Sequence, residues 1–560
     1  MILVAFFLWA RLFHLQVNRG EYWVALAQNQ HSLSRALLAD RGNIYGHDGS
    51  SLIPLAVNRE YQTVYIVPRD ILDPKQTAVL LSAVLGVPES DVLKRIEQRR
   101  DDPFEVIQRR LTSEEVARVE ELHLPGVHFL PETYRYYPAN ELASKIIGFV
   151  GPSEDGANGI YGIEASYNGE LRGRDGTLSQ EKDAAGRWIP LSDRHEVAAE
   201  HGKSVVLSID RVIQYEIERI LAEAKEKHSA DQVSAIVLEP KTGKIRALSA
   251  LPHFNPNEYG TVEDLSQFMN PVISIPFEPG SVMKPITMAI GIEEGKVNPG
   301  TEYVDTGVVV EAGYSIRNAE DKVYGRSSMT RVLEESINTG VMYVEKLVGN
   351  VRFRERLEQF GFGSKTGIRL PAEHAGNLKN LANPKATIQF YTASFGQGIT
   401  VTPLQMLMAY GALANGGVLM KPLLVDRFIH ADGTEEEITP YAVRQVVRSD
   451  TAKLVGTMLR SVVVNGHGKR ADVPGYTVVG KTGTAQVAKS DGKGYEENLT
   501  IGSFVGYAPL EDPQYVVLVK VDNPKDVQWA ESSAAPLFGK IMQFLLSYGK
   551  VQPTLLENTK

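Results

Sequence analysis

The order of strand-like and helix-like segments predicts an α/β (α+β) fold, with sheet elements at both ends of a large domain enclosing a helical insert. Three observations predict it. Ser234 to Glu239 and Lys244 to Leu251 read as two strands joined around Pro240-Lys241-Thr242-Gly243. Two more strand-like runs, Ile501 to Tyr507 and Tyr515 to Val521, lie far downstream. Helical segments dominate between them, from about 282 to 460.

The chain begins with an unbroken apolar run, ILVAFFLWA at 2 to 10, and RLFHLQV continues it past Arg11. A spanning helix needs roughly 20 residues, so the segment alone is marginal. Three readings compete: a buried soluble helix, a cleaved signal peptide, and the outer part of a membrane anchor. Phe6, Phe7, Leu8 and Trp9 in succession leave no polar face for the first. The second lacks a basic leading region, and the small residues of Ala25-Leu26-Ala27 lie too far from the apolar core. The favoured expectation is a partial transmembrane anchor over 1–17, its inner half and basic flank upstream of Met1. Arg11 and Trp23 then lie toward the outer interface, and the remainder is exported.

A chain of 560 residues is long enough for two to four domains. The expected division is a mixed α/β region over 18–200, a second domain over 201–548 and a tail over 549–560. In the first region Thr63 to Val67 reads as a strand and Ser113 to Leu122 as a helix. In the second, Val205 to Ile209 reads as a strand and Asp210 caps a helix with Ile213, Ile217, Ile220, Leu221 and Ala224 on one face. Ala534 to Tyr548 closes the domain as an amphipathic helix.

Composition narrows the function. A net charge of -9 without basic runs argues against nucleic acid as a partner. The absence of cysteine excludes disulfides, thiolate ligands and a cysteine nucleophile. The twelve histidines are scattered with no HExxH, so neither a metal nor a cofactor is expected.

Three short elements carry the chemistry: Ser-x-x-Lys, Ser-x-Asn and Lys-Thr-Gly. Each recurs. The first occurs at Ser281/Lys284, Ser490/Lys493 and Ser547/Lys550, the second at Ser166/Asn168 and Ser336/Asn338, and the third at 241–243, 365–367 and 481–483. Local context removes the decoys. Ser490-Asp491-Gly492-Lys493 is a turn, and Ser547 ends a helix broken by Gly549. Glu278-Pro279-Gly280, by contrast, delivers Ser281 to the start of a helix striped by Met283, Ile286 and Ile290, where Lys284 shares its face and Pro285 is tolerated in the first turn. Backbone N–H groups point outward there, as an oxyanion hole requires. A plain helix cap followed by a solvated lysine would have the same local sequence.

Ser336-Ile337-Asn338 falls in a break between the helical runs Met329 to Glu335 and Gly340 to Val348, which also suits a connecting cap. Lys481-Thr482-Gly483-Thr484 follows the strand-like Tyr476 to Gly480 and sits on a sheet edge, whereas 241–243 is a hairpin turn and 365–367 a loop.

The surviving order, Ser281/Lys284, Ser336/Asn338, Lys481/Thr482/Gly483, resembles penicillin-binding proteins and serine β-lactamases. Arg41-Gly42-Asn43-Ile44, Tyr137-Pro138 with Gly148 to Gly151, and Gly159 to Glu164 are similar to pedestal landmarks of class B penicillin-binding proteins. Gly361-Phe362-Gly363, Ser394 to Ile399 and Thr402-Pro403-Leu404-Gln405 are similar to landmarks of their transpeptidase domain. Where that family usually has Asp-Arg-Asn-Gly, this chain has Gly46-His47-Asp48-Gly49.

The resemblance implies an N-terminal membrane helix, an elongated pedestal and a β-lactamase-like transpeptidase domain whose antiparallel sheet is sandwiched by helices. It implies a division-type D,D-transpeptidase, single-pass in the bacterial cytoplasmic membrane with its catalytic domain outside. Its partners would be stem peptides ending in D-Ala-D-Ala, β-lactams, a SEDS-type glycosyltransferase and divisome proteins. Ser281 would be the nucleophile, Lys284 its base, Ser336 a proton relay held by Lys481, and Asn338 the group orienting Lys284 and the donor amide. Thr482 and Thr484 would bind the terminal carboxylate, the amides of Ser281 and Thr484 would hold the oxyanion, and Gly483 would let the strand approach substrate. A hydrolase would use the same motifs, but a large pedestal and an anchor argue against a β-lactamase. A catalytically dead scaffold is disfavoured by the intact motif residues.

Overall fold

The structure, a computed structural model, describes residues 2–19, 32–153, 156–181, 194–311, 313–488 and 494–554. Trp23, Ala25 to Ala27 and the Ser490 to Lys493 turn lie outside them. The chain forms two compact units: Met1–Asn43 with Asn168–Val205 and Phe428–Glu436, and Ile44–Tyr167 with Val206–Arg427 and Glu437–Lys560.

In the first unit the opening apolar run forms a helix over Ile2–Phe13 whose Phe6, Phe7, Leu8 and Trp9 are exposed. No helix among the described residues is long and apolar enough to cross a membrane. Strands Ser32–Leu37, Gly176–Glu181 and Arg194–Val197 make an antiparallel sheet in that order. The Arg41-Gly42 landmark closes on the turn beside it. Arg41 donates to Asn168 Oδ1 at 2.8 Å and the Gly42 N–H to the Leu171 carbonyl at 2.7 Å.

The second unit begins with a long strand, Ser51–Ile66, which pairs with Ile44–Asp48, Glu105–Leu111 and Val127–Tyr136. The expected strand over Thr63 to Val67 is only its end; the earlier residues, Leu55 and Ala56 apart, are partly or fully exposed and carry no apolar alternation. Val64, Ile66 and Ile107 pack against Leu81, Ile96 and Val119 of three helices, the last of which spans Ser113–Glu121 behind a Thr112/Glu115 capping box. The departing Gly46-His47-Asp48-Gly49 segment turns a hairpin. Its His47 bonds Asp426 at 2.9 Å and its Asp48 pairs with Arg211 at 2.7 Å. The next landmarks meet at a buried ion pair, Arg135 to Glu164 at 2.6 Å, with the Tyr137 hydroxyl against the same carboxylate at 3.4 Å.

The catalytic-type sheet has five strands: β1 Gln232–Glu239, β2 Lys244–Leu251, β3 Val479–Ala488, β4 Tyr495–Ala508 and β5 Tyr515–Asp522, in the order β2-β1-β5-β4-β3. All neighbours are antiparallel, and β3 is an edge. One face is covered by α1 (Arg211–Lys227), whose Ile213, Ile217 and Leu221 meet Phe538, Ile541 and Leu545 of the C-terminal helix Ala534–Tyr548. Asp210 caps α1 as expected, accepting the N–H groups of Val212 and Ile213. The other face is covered by Pro403–Ala414, opened by a Thr402/Gln405 capping box. The 282–460 stretch also holds short ribbons that the sequence reading missed, among them Glu302–Asp305 with Gly325–Ser328 and Val308–Glu311 with Tyr314–Arg317. Four-residue strands are too short to impose a period of two on the sequence.

Glu345, on a helix spanning Asn338–Val348, is fully buried, and neither carboxylate oxygen has a hydrogen-bond partner among the described residues. Burial pushes its carboxyl up to about 8. The folded protein therefore holds a proton that the unfolded chain has released, and stability falls as pH rises from the ordinary glutamate range through that value. Denaturant unfolding of Glu345→Gln should show this loss removed, about 3 kcal/mol between pH 5 and pH 8.

Candidate active site

Ser281 lies in a 3-10 turn, Gly280–Met283, that runs into α2 (Lys284–Glu293), with Pro285 in the first turn. α2 does not present the single apolar stripe expected of Met283, Ile286 and Ile290. Lys284 through Ile292 are all buried, because α2 is a core helix enclosed by its neighbours.

The turn is held from several sides. Glu278 accepts the Gly398 N–H at 2.9 Å and the Tyr495 hydroxyl at 3.0 Å. The Gly280 N–H donates to Gly396 O at 3.0 Å, and the buried Tyr410 hydroxyl, from the sheet-covering helix, donates to Val282 O at 2.9 Å. Gly396 has φ +83°, and a Cβ there would lie 2.3 Å from Gly280 O. A Cβ at Gly483 would meet Ser503 Oγ at 2.7 Å, Val282 at 2.9 Å and Pro279 O at 3.0 Å. The bare Cα of Gly483 thus makes room for the turn that carries Ser281, a reason beyond the substrate approach expected from sequence.

Ser336 joins α3 (Met329–Glu334) to α4 (Asn338–Val348) with a left-handed φ of 55°. Lys284 Nζ donates to Ser336 O at 2.5 Å and to Ser336 Oγ at 3.1 Å. Among the described residues Ser281 Oγ makes no hydrogen bond, so the Lys284 contact expected for Ser281 goes to Ser336, where two acceptors satisfy one buried amine. Asn338 donates to Arg317 O at 3.0 Å rather than to Lys284. Lys481, on edge strand β3, is 0% exposed and bonds Thr482 O at 3.2 Å and Oγ1 at 3.3 Å, not Ser336. Thr484 Oγ1 accepts the Ala530 N–H at 3.1 Å.

Burial drives the Lys284 amine well below its ordinary value, and the Lys481 charge adds to the shift. Burial also pushes Lys481 down to about 8, opposed by the Glu531 carboxylate.

A cleft of about 390 Å³ gathers Ser281, Lys284, Ser336, Asn338, Thr482 and Thr484. Lys481 and Gly483 stand behind its wall, one beneath Thr482 and the other against the Ser281 turn. The rim adds residues that sequence reasoning missed: Tyr324, Glu335, His467, Trp529 and Glu531. Only the isolated histidine of Gly466-His467-Gly468 was a visible signal, and a weak one. The other two Lys-Thr-Gly copies are used elsewhere. Lys241 pairs with Asp512 beside the β1–β2 hairpin, and Thr366 donates its N–H and hydroxyl to Glu373.

A family model described as the penicillin binding protein transpeptidase domain matches residues 233–543, and one described as the penicillin-binding protein dimerisation domain matches residues 36–207. Stage V sporulation protein D of Bacillus subtilis is 34% identical over 97% of this chain and 83% of its own length. Peptidoglycan D,D-transpeptidase FtsI of Escherichia coli is 28% identical over 99% of this chain and 92% of its own. The crystal structure of penicillin binding protein 3 from Mycobacterium tuberculosis with aztreonam covers 94% of this chain and 100% of its own, with a TM-score of 0.71 at 28% identity. With the transpeptidase match spanning more than half of its residues and relatives aligned along nearly its full length, the chain belongs to the class B penicillin-binding proteins.

Proposed function

We propose that the protein is a peptidoglycan D,D-transpeptidase that cross-links stem peptides through an acyl-enzyme on Ser281, with release of D-Ala, in cell-wall synthesis at division. The observation that carries this reading is the meeting of Ser281, Lys284, Ser336, Thr482 and Thr484 in one cleft, with Lys481 buried behind it. The name of the Escherichia coli relative, peptidoglycan D,D-transpeptidase, supports the substrate class.

Serine needs a base before it attacks a carbonyl. In this reading Lys284 is that base, its neutral form favoured by burial and by Lys481. The Lys284–Ser336 bonds support a relay in which the proton passes through Ser336 to the departing amine. Lys481 supplies positive potential to the donor carboxylate at Thr482 and Thr484, and Asn338 orients the donor amide. The amides of Ser281 and Thr484 take the oxyanion, each such donor being worth about 3 kcal/mol of barrier. An amine of a second stem peptide then accepts the acyl group.

The domain division proposed with this function is an anchor over 1–17, a pedestal over 18–200, a transpeptidase domain over 201–548 and a tail over 549–560. The proposed location is the cytoplasmic membrane, single-pass, with the catalytic domain outside. A SEDS-type glycosyltransferase and divisome membrane proteins are the proposed partners.

Mass spectrometry after exposure to a fluorescent penicillin should place one slowly released adduct on Ser281, absent from Ser281→Ala. No adduct on the wild-type protein would sink the reading, and rapid release would turn it toward a hydrolase. Lys284→Met should slow acylation by roughly 10²- to 10⁴-fold, as loss of a general base does. Acylation by carboxylate-bearing donors should also fall as pH rises past about 8, where Lys481 loses its charge; a pH profile of the acylation rate tests this.

A further inference from the structure

Two side chains at the rim of the cleft are left unused by the three motifs. His467 follows α5 (Ser449–Val464), and Glu531 lies between β5 and the C-terminal helix. Nδ1 of His467 is paired with Glu531 Oε1. Both residues line the cavity that holds Ser281, Ser336 and Thr484. Each is anchored to a different motif wall. The Ala530 N–H bonds Thr484 Oγ1 at 3.1 Å, and the α5 residue Ser461 donates its hydroxyl to Glu334, two residues before Ser336.

The pairing sets the tautomer. A carboxylate only accepts, so Nδ1 carries the proton, and in the neutral imidazole Nε2 is then the atom with the lone pair. Among the described residues Nε2 of His467 makes no hydrogen bond. Lys481 from β3 and Arg470 from the following turn act on the pair, and Lys284, Glu320, Lys322 and Glu335 line the same cleft.

We propose that His467, oriented by Glu531, is the proton acceptor for the incoming amine in the second half of the reaction. The inference rests on the acyl-enzyme reading above. A lysine-like amine arrives as an ammonium ion, which has no lone pair with which to attack. Lys284 serves the Ser281 side, bonded to Ser336. Imidazole is the side chain whose ordinary titration range suits a proton taken at neutral pH.

The step balances. The ammonium gives one proton to Nε2, leaving a free amine and an imidazolium paired with Glu531. The amine nitrogen bonds the acyl carbon of the Ser281 ester and its second proton passes to Ser281 Oγ as the C–O bond breaks. The products are the amide, the regenerated serine and a proton that His467 returns to water.

The test uses the whole protein, a D-Ala-D-Ala peptide donor and two acceptors: the ε-amine of Nα-acetyl-lysine, and hydroxylamine, which is already neutral at neutral pH. His467→Gln should lower the ratio of lysine amide to hydroxamate by roughly 10²-fold or more, as loss of a general base does, while hydroxamate still forms. An unchanged ratio, or an equal fall with both acceptors, overturns the proposal. Glu531→Gln should lower the same ratio less, and it decides the matter if His467→Gln does not fold. A penicillin adduct on Ser281 with an unchanged ratio counts against His467 alone, whereas no adduct on the wild-type protein counts against the acyl-enzyme.

Discussion

Two lysine side chains removed from water set the terms for the wall of the cleft. Lys284 is 1% exposed and Lys481 is 0% exposed. Taking such a group out of water costs several kcal/mol unless it is neutralised or well bonded. Lys284 is satisfied only because Ser336 turns both its carbonyl and its hydroxyl toward it. That orientation uses a left-handed serine, a conformation that costs on the order of 1–3 kcal/mol. The break between α3 and α4 thus supplies both acceptors that the lysine uses. The result is a hydroxyl beside an amine that favours its neutral form.

Ser281 is positioned by different means. Its turn is clasped between the Gly396 segment and edge strand β3, with the Tyr410 hydroxyl beneath. The five-stranded sheet fixes β3, the helix behind the sheet fixes Tyr410, and α2 is core on every side. The site thus inherits its geometry from the most buried part of the unit. The rim has no such support, and its His467–Glu531 pair depends on two loops that are each bonded to one motif wall.

What was legible in the sequence follows from the range of the interactions involved. The Asp210 cap and the α1 stripe are local, as are the turn into Ser281 and the hairpin around Pro240. The decoy motifs could be set aside because a loop Thr366 and a turn Lys241 differ from an edge-strand Lys481 in their neighbours along the chain. Lys284 was expected at Ser281 because helical spacing was the only geometry available. Its partners come from a residue on another helix. Gly483 was read from its own strand, whereas its nearest contacts are Ser503, Val282 and Pro279. The pairing of His467 with Glu531 leaves no trace in either local sequence, since neither residue predicts the other.

The clasp around Ser281 has a bearing on how such a protein can change over generations. Gly396 meets main chain, and Gly483 meets Pro279 main chain as well as side chains, so neither contact offers a large side chain to exchange for another. Any residue with a Cβ at either place must move a neighbouring segment before it can be accommodated. Heritable variation in recognition therefore has little room at the floor of the cleft. It is left to the rim, where Tyr324, Trp529 and the His467–Glu531 pair line the cleft.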